Sequence, residues 1–152
     1  MKHQLISVWN GFVQPMLRRP ERVQFAALCY DVDGPGKKIL LITSRGTGRW
    51  ILPKGWPIDG LESPASALQE AWEEAGVRCG EASPVPLGSY HYDKGLPGDW
   101  NVPVKTTVYP VRVLELAEDY PEADERRRKW VAPAEAAEMV DEPELKDLLA
   151  AF

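Results

Sequence analysis

The sequence predicts an α/β fold of the α+β kind, a mixed β-sheet sandwiched between α-helices, in one domain spanning residues 1–152. Three observations carry this. Short apolar runs bounded by Gly and Pro clusters recur along the chain, as strands do. One long segment in the middle has a three- and four-residue apolar period, as a helix has. Two further short helical segments close the chain, so helices stand before and after strands and a layered sheet is the economical packing.

In chain order, residues 23–30 (VQFAALCY) form the first strand candidate. DVDGPGK follows as a turn, and KILLIT (38–43) is a second apolar run, so 23–43 reads as a hairpin with a long loop. SRGTGR is another turn, and WILP is a short extended piece that ends at Pro53. KGWPIDGLES (54–63) holds two glycines and a proline and reads as a loop. Helix signals come next. Ser63 is placed to cap, and Pro64 sits at the first helical position, where its missing N–H does no harm. Leu68, Ala71, Trp72 and Ala75 form the expected buried stripe, and Gly76 stands where a left-handed C-terminal cap belongs. Strand candidates PLGSYHY (86–92) and KTTVYPVRVLEL (105–116) follow, with Pro110 suggesting an edge or a bulge. DKGLPGDWNVP between them is expected to be a mobile loop. ERRRKWVA (125–132) is a short strand, and 133–139 and 142–150 are short helices. Residues 1–20 fit a helix, a strand or a loose arm equally well.

Composition narrows the functional classes. With 44% hydrophobic and 27% charged residues, the chain is an ordinary globular one. No apolar run reaches the length of a membrane span, and the N-terminal segment lacks the pattern of a secretory signal. Cys29 and Cys79 lack the spacing of a disulfide framework or a metal site and read as reduced thiols of a cytoplasmic protein. A net charge of −5 argues against nucleic acid or acidic lipid as partner. Basic residues crowd the first third (Arg18, Arg19, Arg22, Lys37, Lys38, Arg45, Arg49, Lys54), and acidic ones follow at 70–74 and 115–125. Such neighbouring clusters suit a small phosphate-bearing substrate held partly through metal ions, although scattered solvated charge gives the same composition.

The chemistry-bearing constellation is Glu70, Glu73 and Glu74 at i, i+3 and i+4. A helix turns by ~100° per residue, so these three share one face. The spacing alone also fits a solvated acidic face. Like charges at adjacent helical positions repel and stabilise nothing by themselves. A divalent cation among them changes that, and magnesium takes carboxylate oxygens beside substrate phosphates. Just before the helix, Pro53-Lys54-Gly55 offers backbone that approaches a ligand closely.

These residues resemble the Nudix box, G-x5-E-x7-R-E-U-x-E-E-x-G-U, where U is a bulky apolar residue. From Gly55 to Val77 the register holds without a gap: Gly55, Glu70, Glu73, Glu74, Gly76 and Val77 stand at their box positions, with Ala71 at the first U. Two positions depart. Leu61 replaces the box glutamate, with Glu62 beside it as a partial substitute, and Gln69 replaces the box arginine. Both members of the family's bracing ion pair are therefore uncharged, which fits a changed brace rather than a broken site.

Over roughly 22–150 the chain looks most similar to the diphosphoinositol polyphosphate and diadenosine polyphosphate phosphohydrolase branch, through Phe25–Tyr30, Leu41–Arg45, Arg49–Pro53, Arg126–Trp130 and Ala134–Ala137. The resemblance implies phosphate-holding roles for Arg22, Arg45, Lys105 and the Arg126–Arg128 run. Lys54 and Gly55, at the box glycine, join them. Gln24, where that branch often has arginine, and Lys54 and Trp56, where it often has glycines, depart from the inositol pyrophosphate pattern.

The resemblance further implies Mg2+, with Mn2+ as a substitute, held by Glu70, Glu73 and Glu74. Glu73 is expected to activate the water that attacks phosphorus. Substrate choice is expected to lie in loop 92–104 and the N-terminal arm, and the state to be monomer or homodimer. A ligand-binding sensor and an RNA-directed pyrophosphohydrolase are the rival readings. His3 and His91 have no catalytic pattern, and among the tryptophans Trp56 and Trp100 stand in loops.

Overall fold

The computed structural model describes residues 21–152 apart from Pro97 and Asp99, so the expectations for residues 1–20, including Arg18, Arg19 and His3, lie outside it. The elements are β1 (Arg22–Asp31), β2 (Lys38–Thr43), β3 (Trp50–Ile51), β4 (Lys54–Gly55), α1 (Ser63–Ala75), β5 (Val77–Ala82), β6 (Gly88–Leu96), β7 (Trp100–Leu116), β8 (Arg128–Val131), α2 (Pro133–Met139) and α3 (Pro143–Ala151). Among the described residues the strands join in one eight-stranded sheet with the central order β3-β2-β1-β7-β5. The expected β1–β2 hairpin is present, with Tyr30 opposite Ile39. β1 and β7 run parallel from Arg22↔Val104 to Tyr30↔Arg112, and β7 pairs antiparallel with β5 and β6, so the sheet is mixed.

Residues that alternate along a strand face opposite sides, and here both sides are buried. Ala26 and Leu28 of β1 and Ile39 and Leu41 of β2 point into a core closed by Leu145 and Leu149 of α3 and Ala136 of α2. Ala27 and Cys29 of β1 and Leu40 and Ile42 of β2 point into a second core closed by Ala67, Ala71 and Ala75 of α1. The sheet is therefore sandwiched between α1 and the two C-terminal helices, as the sequence predicts. Among the described residues no helix is long and apolar enough to cross a membrane.

Several local readings change. The buried stripe of α1 is Ala67, Ala71 and Ala75 with Ser66 and Glu74, while Leu68 and Trp72 are only partly buried. Small side chains let the helix sit close on the sheet, and that brings Glu74 into the interior. Residues 93–96 and 100–103 continue the β6–β7 ladder, out to Gly95↔Asn101 and Leu96↔Trp100, because each strand extends the other's hydrogen bonding. β5 was not foreseen. Its alternation is broken by register shifts between Val77 and Gly80, which hide the strand pattern.

Pro110 lies within β7 opposite Leu28 of β1, not at an edge. Its carbonyl accepts the Ser83 N–H at 3.0 Å, on the side away from β1. A strand residue presents N–H and C=O to the same neighbour. The missing N–H therefore falls where β6 stops, near Val108, and β5 starts, near Val111, and no β1 bond is lost.

α1 starts at Ser63 with Glu62 as N-cap and Pro64 in the first turn; the cap makes no side-chain hydrogen bond, so Ser63 does not act as expected. At the other end Gly76 adopts the left-handed conformation with φ 76° and donates its N–H to the Ala71 and Trp72 carbonyls. A Cβ there would lie 2.5 Å from the Tyr120 ring and 2.6 Å from the Arg128 guanidinium. Replacing Gly76 with Ala is thus expected to destabilise the fold by roughly 2 kcal/mol in urea unfolding, through left-handed strain and this clash. An unchanged midpoint would contradict the packing described.

Candidate active site

β4 and α1 build the site. β4 pairs with β1 through Phe25↔Gly55 and Ala26↔Lys54, which fixes the Lys54-Gly55 backbone on the sheet. Glu74 reaches that backbone from the helix, and its Oε1 accepts the Lys54 N–H at 3.1 Å. Glu70, one turn earlier, lies against Gly55 itself. A Cβ on Gly55 would stand 2.3 Å from the Glu70 carboxyl carbon and 2.3 Å from its Oε1. Only glycine leaves room for this carboxylate.

Burial, then the charges of Glu74, Glu73 and Glu122, push the Glu70 carboxyl up to about 8. Burial also raises Glu74, against the opposing pull of Arg126 and the Lys54 N–H. Arg126 is buried between two carboxylates, with Nη2 3.4 Å from Glu74 Oε2 and 3.1 Å from Glu122 Oε1, and its side chain is 7% exposed. It also donates to the Thr43 carbonyl at 3.1 Å, which anchors it to β2. Burial pushes the Lys54 ammonium down to about 8, partly offset by Glu74. That ammonium stands 5.1 Å from the centre of the Tyr92 ring.

These groups face a cleft of about 770 Å³. Of the residues expected at the site, Glu70, Glu74, Arg45, Lys54, Gly55 and Arg126 line it. Glu73 stands beside it on the same helix face, and its Oε1 accepts the Gln69 side-chain amide at 3.2 Å. Arg22 is exposed near the mouth, with its guanidinium 6.0 Å from the Trp56 ring. Lys105 is exposed on β7 between buried Val104 and Thr106 and does not line the cleft. Arg128 also stays outside. Its Nη1 donates to the Ala75 carbonyl at 2.8 Å and its guanidinium covers Tyr120 at 4.9 Å, so it closes the C-terminus of α1.

The cleft also holds residues that were not singled out as site residues. Gln24 is 3% exposed and accepts a hydrogen bond from the Tyr92 hydroxyl. Glu122 joins Arg126 to Arg45, whose Nη1 lies 3.5 Å away. Arg49, which the sequence placed in the basic cluster, is held by Glu142 at 2.8 Å. Lys94 and Trp56 complete the rim. For Glu122 the acidic run at 115–125 was the available signal. For Gln24 the available signal was the resemblance, which puts it where the branch often has arginine; for Tyr92 the signal is tertiary only, because its partner lies 68 residues away.

The two departing box positions lie elsewhere. Leu61 and Gln69 line a separate groove of about 680 Å³ with Leu68 and Trp72. Glu62 is exposed, and it is its backbone carbonyl that engages the helix, accepting the Ser66 N–H at 2.9 Å. The altered brace therefore does not line the cleft, and its contact with the glutamates is the Gln69 amide on Glu73.

Among the described residues no three His, Cys, Asp or Glu side chains already converge as a metal cage. Magnesium needs no such cage, since one or two carboxylates and the substrate's phosphates complete its shell. Crowded, partly buried carboxylate oxygens at Glu70 and Glu74 are a donor set that fits a hard divalent cation.

The description "NUDIX domain" fits residues 21–152 of the chain. The chain belongs to the Nudix family. Among its relatives, the Nudix hydrolase 21, chloroplastic, of Arabidopsis thaliana is 34% identical over 126 residues, which cover 81% of this chain and 61% of that protein. The diphosphoinositol polyphosphate phosphohydrolase 3-alpha of Homo sapiens is 29% identical over 117 residues, covering 76% of this chain and 66% of that protein. The chain thus spans less than two thirds of the length of either. The C. elegans Ap4A hydrolase structure superposes with a TM-score of 0.61 at 18% identity, over 88% of this Nudix chain and 96% of that one, and so shares its fold. One of these relatives, the diphosphoinositol polyphosphate phosphohydrolase, carries the name of the branch read from the sequence.

The raised Glu70 sets a pH dependence. A carboxyl whose folded value, about 8, exceeds its unfolded value binds protons more tightly when folded. Stability then falls as pH rises between about 4.5 and 8. Lys54, lowered to about 8, acts oppositely and only above that pH. Metal-free protein is expected to lose melting temperature from pH 5 to pH 8, and Glu70→Gln to flatten the slope; equal slopes would contradict the assignment.

Proposed function

We propose that this Nudix domain is a magnesium-dependent hydrolase that cleaves a pyrophosphate linkage in a dinucleoside polyphosphate or a diphosphoinositol polyphosphate. The observation that carries the reading is the Glu70 carboxylate packed against the Gly55 backbone, with Glu74 held beside it by the Lys54 N–H. Carboxylates this crowded repel one another, and a cation-bearing phosphate chain relieves the repulsion. Support also comes from the named hydrolases among the relatives.

Glu70 and Glu74 would hold the ion, with Glu73 as a further ligand or as the base. When bound, Mg2+ neutralises phosphate charge and orients the phosphate chain. Glu73 would take the proton of the attacking water, and the Gln69 amide on its Oε1 would hold the carboxylate in place for that. Arg45 and Lys54 would grip flanking phosphates and fix them for in-line displacement. Arg126 would bridge Glu74 and Glu122 and hold both carboxylates in place. Arg22 at the mouth is a candidate for an outer phosphate. Lys105 and Arg128 would contribute only if the substrate extends beyond the cleft. A cytoplasmic monomer or homodimer belongs to the same proposal.

The test is product release from diadenosine polyphosphates, a diphosphoinositol phosphate, ADP-ribose and an oxidised nucleoside triphosphate, with magnesium and with chelator. Metal-dependent turnover that Glu73→Gln lowers by about a hundredfold or more, with unchanged melting temperature, is expected. Full activity in Glu73→Gln would refute its role as base. Tight binding of one compound without turnover would favour a ligand-binding sensor, the reading motivated by uncharged Leu61 and Gln69.

A further inference from the structure

We propose that Trp56 is a stacking platform for a nucleobase, so that the cleft takes a dinucleoside or nucleoside polyphosphate in preference to a diphosphoinositol polyphosphate. The inference rests on the hydrolase reading and narrows its substrate class. Trp56 lines the cleft while remaining 37% exposed. A large aromatic side chain left at the surface of a polar cleft is a contact surface for something flat and apolar.

Its place in the chain sets what that something is attached to. Trp56 directly follows Gly55, whose backbone abuts the Glu70 carboxylate, and Lys54, whose N–H holds Glu74. A ligand with a phosphate at the glutamates therefore reaches the indole with its neighbouring group. Two cations lie over the ring, the Arg22 guanidinium at 6.0 Å and the Lys94 ammonium at 5.9 Å from its centre. A base that stacks on the indole takes the place of one of them, and the displaced cation stays within reach of the phosphates that the base carries.

The charge of the cleft points the same way. Arg126 faces Glu74 and Glu122, Arg49 faces Asp141 and Glu142, and Arg45 faces Glu122 and Glu125. Much of the positive charge is thus already balanced within the protein. A diphosphoinositol polyphosphate carries phosphate around the whole ring and has no planar face, so it calls for a surplus of cations and makes no use of an indole. A nucleotide carries fewer charges on one side and a π-face on the other.

The experiment titrates two uncleavable ligands, the methylene analogues of ADP and of pyrophosphate, into the full chain with magnesium, and repeats this for Trp56→Ala and Trp56→Phe. Losing one base-stacking partner is expected to weaken the ADP analogue by about tenfold in Trp56→Ala, to leave the pyrophosphate analogue within about twofold, and to spare most affinity in Trp56→Phe. The proposal is overturned if Trp56→Ala weakens both analogues equally, if it weakens neither, or if the wild type binds both with one affinity. These titrations need no turnover. A base-dependent loss in a protein that cleaves nothing would therefore sink the hydrolase reading and keep the platform.

Discussion

Helix α1 and strand β4 meet where the Glu70 carboxylate lies against the backbone of Gly55, at a distance no residue with a Cβ allows. The rest of the molecule is arranged to hold that contact. β1 fixes β4 by pairing with Lys54 and Gly55. Ala67, Ala71 and Ala75 seat the helix on the sheet through small side chains. Gly76 and Arg128 close its C-terminus. Placing several carboxylates together in a partly buried position costs stability, and the protein offsets only part of that cost, through Arg126 and the Lys54 N–H. The remainder is available to a cation.

This division explains why the cleft is polar yet nearly balanced in charge. Arg126 separates Glu74 from Glu122 and keeps both acidic groups in the low-dielectric interior without leaving a buried charge uncompensated. Arg49, held by Glu142, and Lys54, set over Tyr92, are fixed in place by neighbours before any ligand arrives. Preorganised groups lose little entropy on binding, which is the condition for positioning a phosphate chain.

Local chemistry carried much of this into the sequence. The helix with its proline start and glycine stop, the glutamate face and the β1–β2 hairpin depend on neighbours a few residues apart, so they could be read directly. Features that depend on partners far along the chain could not. The outer end of the β6–β7 ladder reads as a loop because its Gly, Pro and Asp residues are loop formers, and only pairing between the two strands overrides them. β5 was concealed by its register shifts. Arg128 and Arg126 are two residues apart in one basic run, yet one caps a helix and the other clamps Glu74; the run reports charge but not destination. Spacing put Glu74 on one face with Glu70 and Glu73 but not in the interior, because a helix period cannot tell which face β4 will cover.

The central claim is that the crowding of Glu70 and Glu74 over Gly55 is the seat of a divalent cation. Its most direct test is a titration with Mn2+, followed by the relaxation enhancement of water protons, on the wild type and on Glu70→Gln, Glu74→Gln and Gly55→Ala. Saturable binding in the wild type, lost in both glutamine variants and weakened in Gly55→Ala where the added Cβ displaces Glu70, is the predicted result. Equal binding in all four proteins, or none in any, would contradict the account.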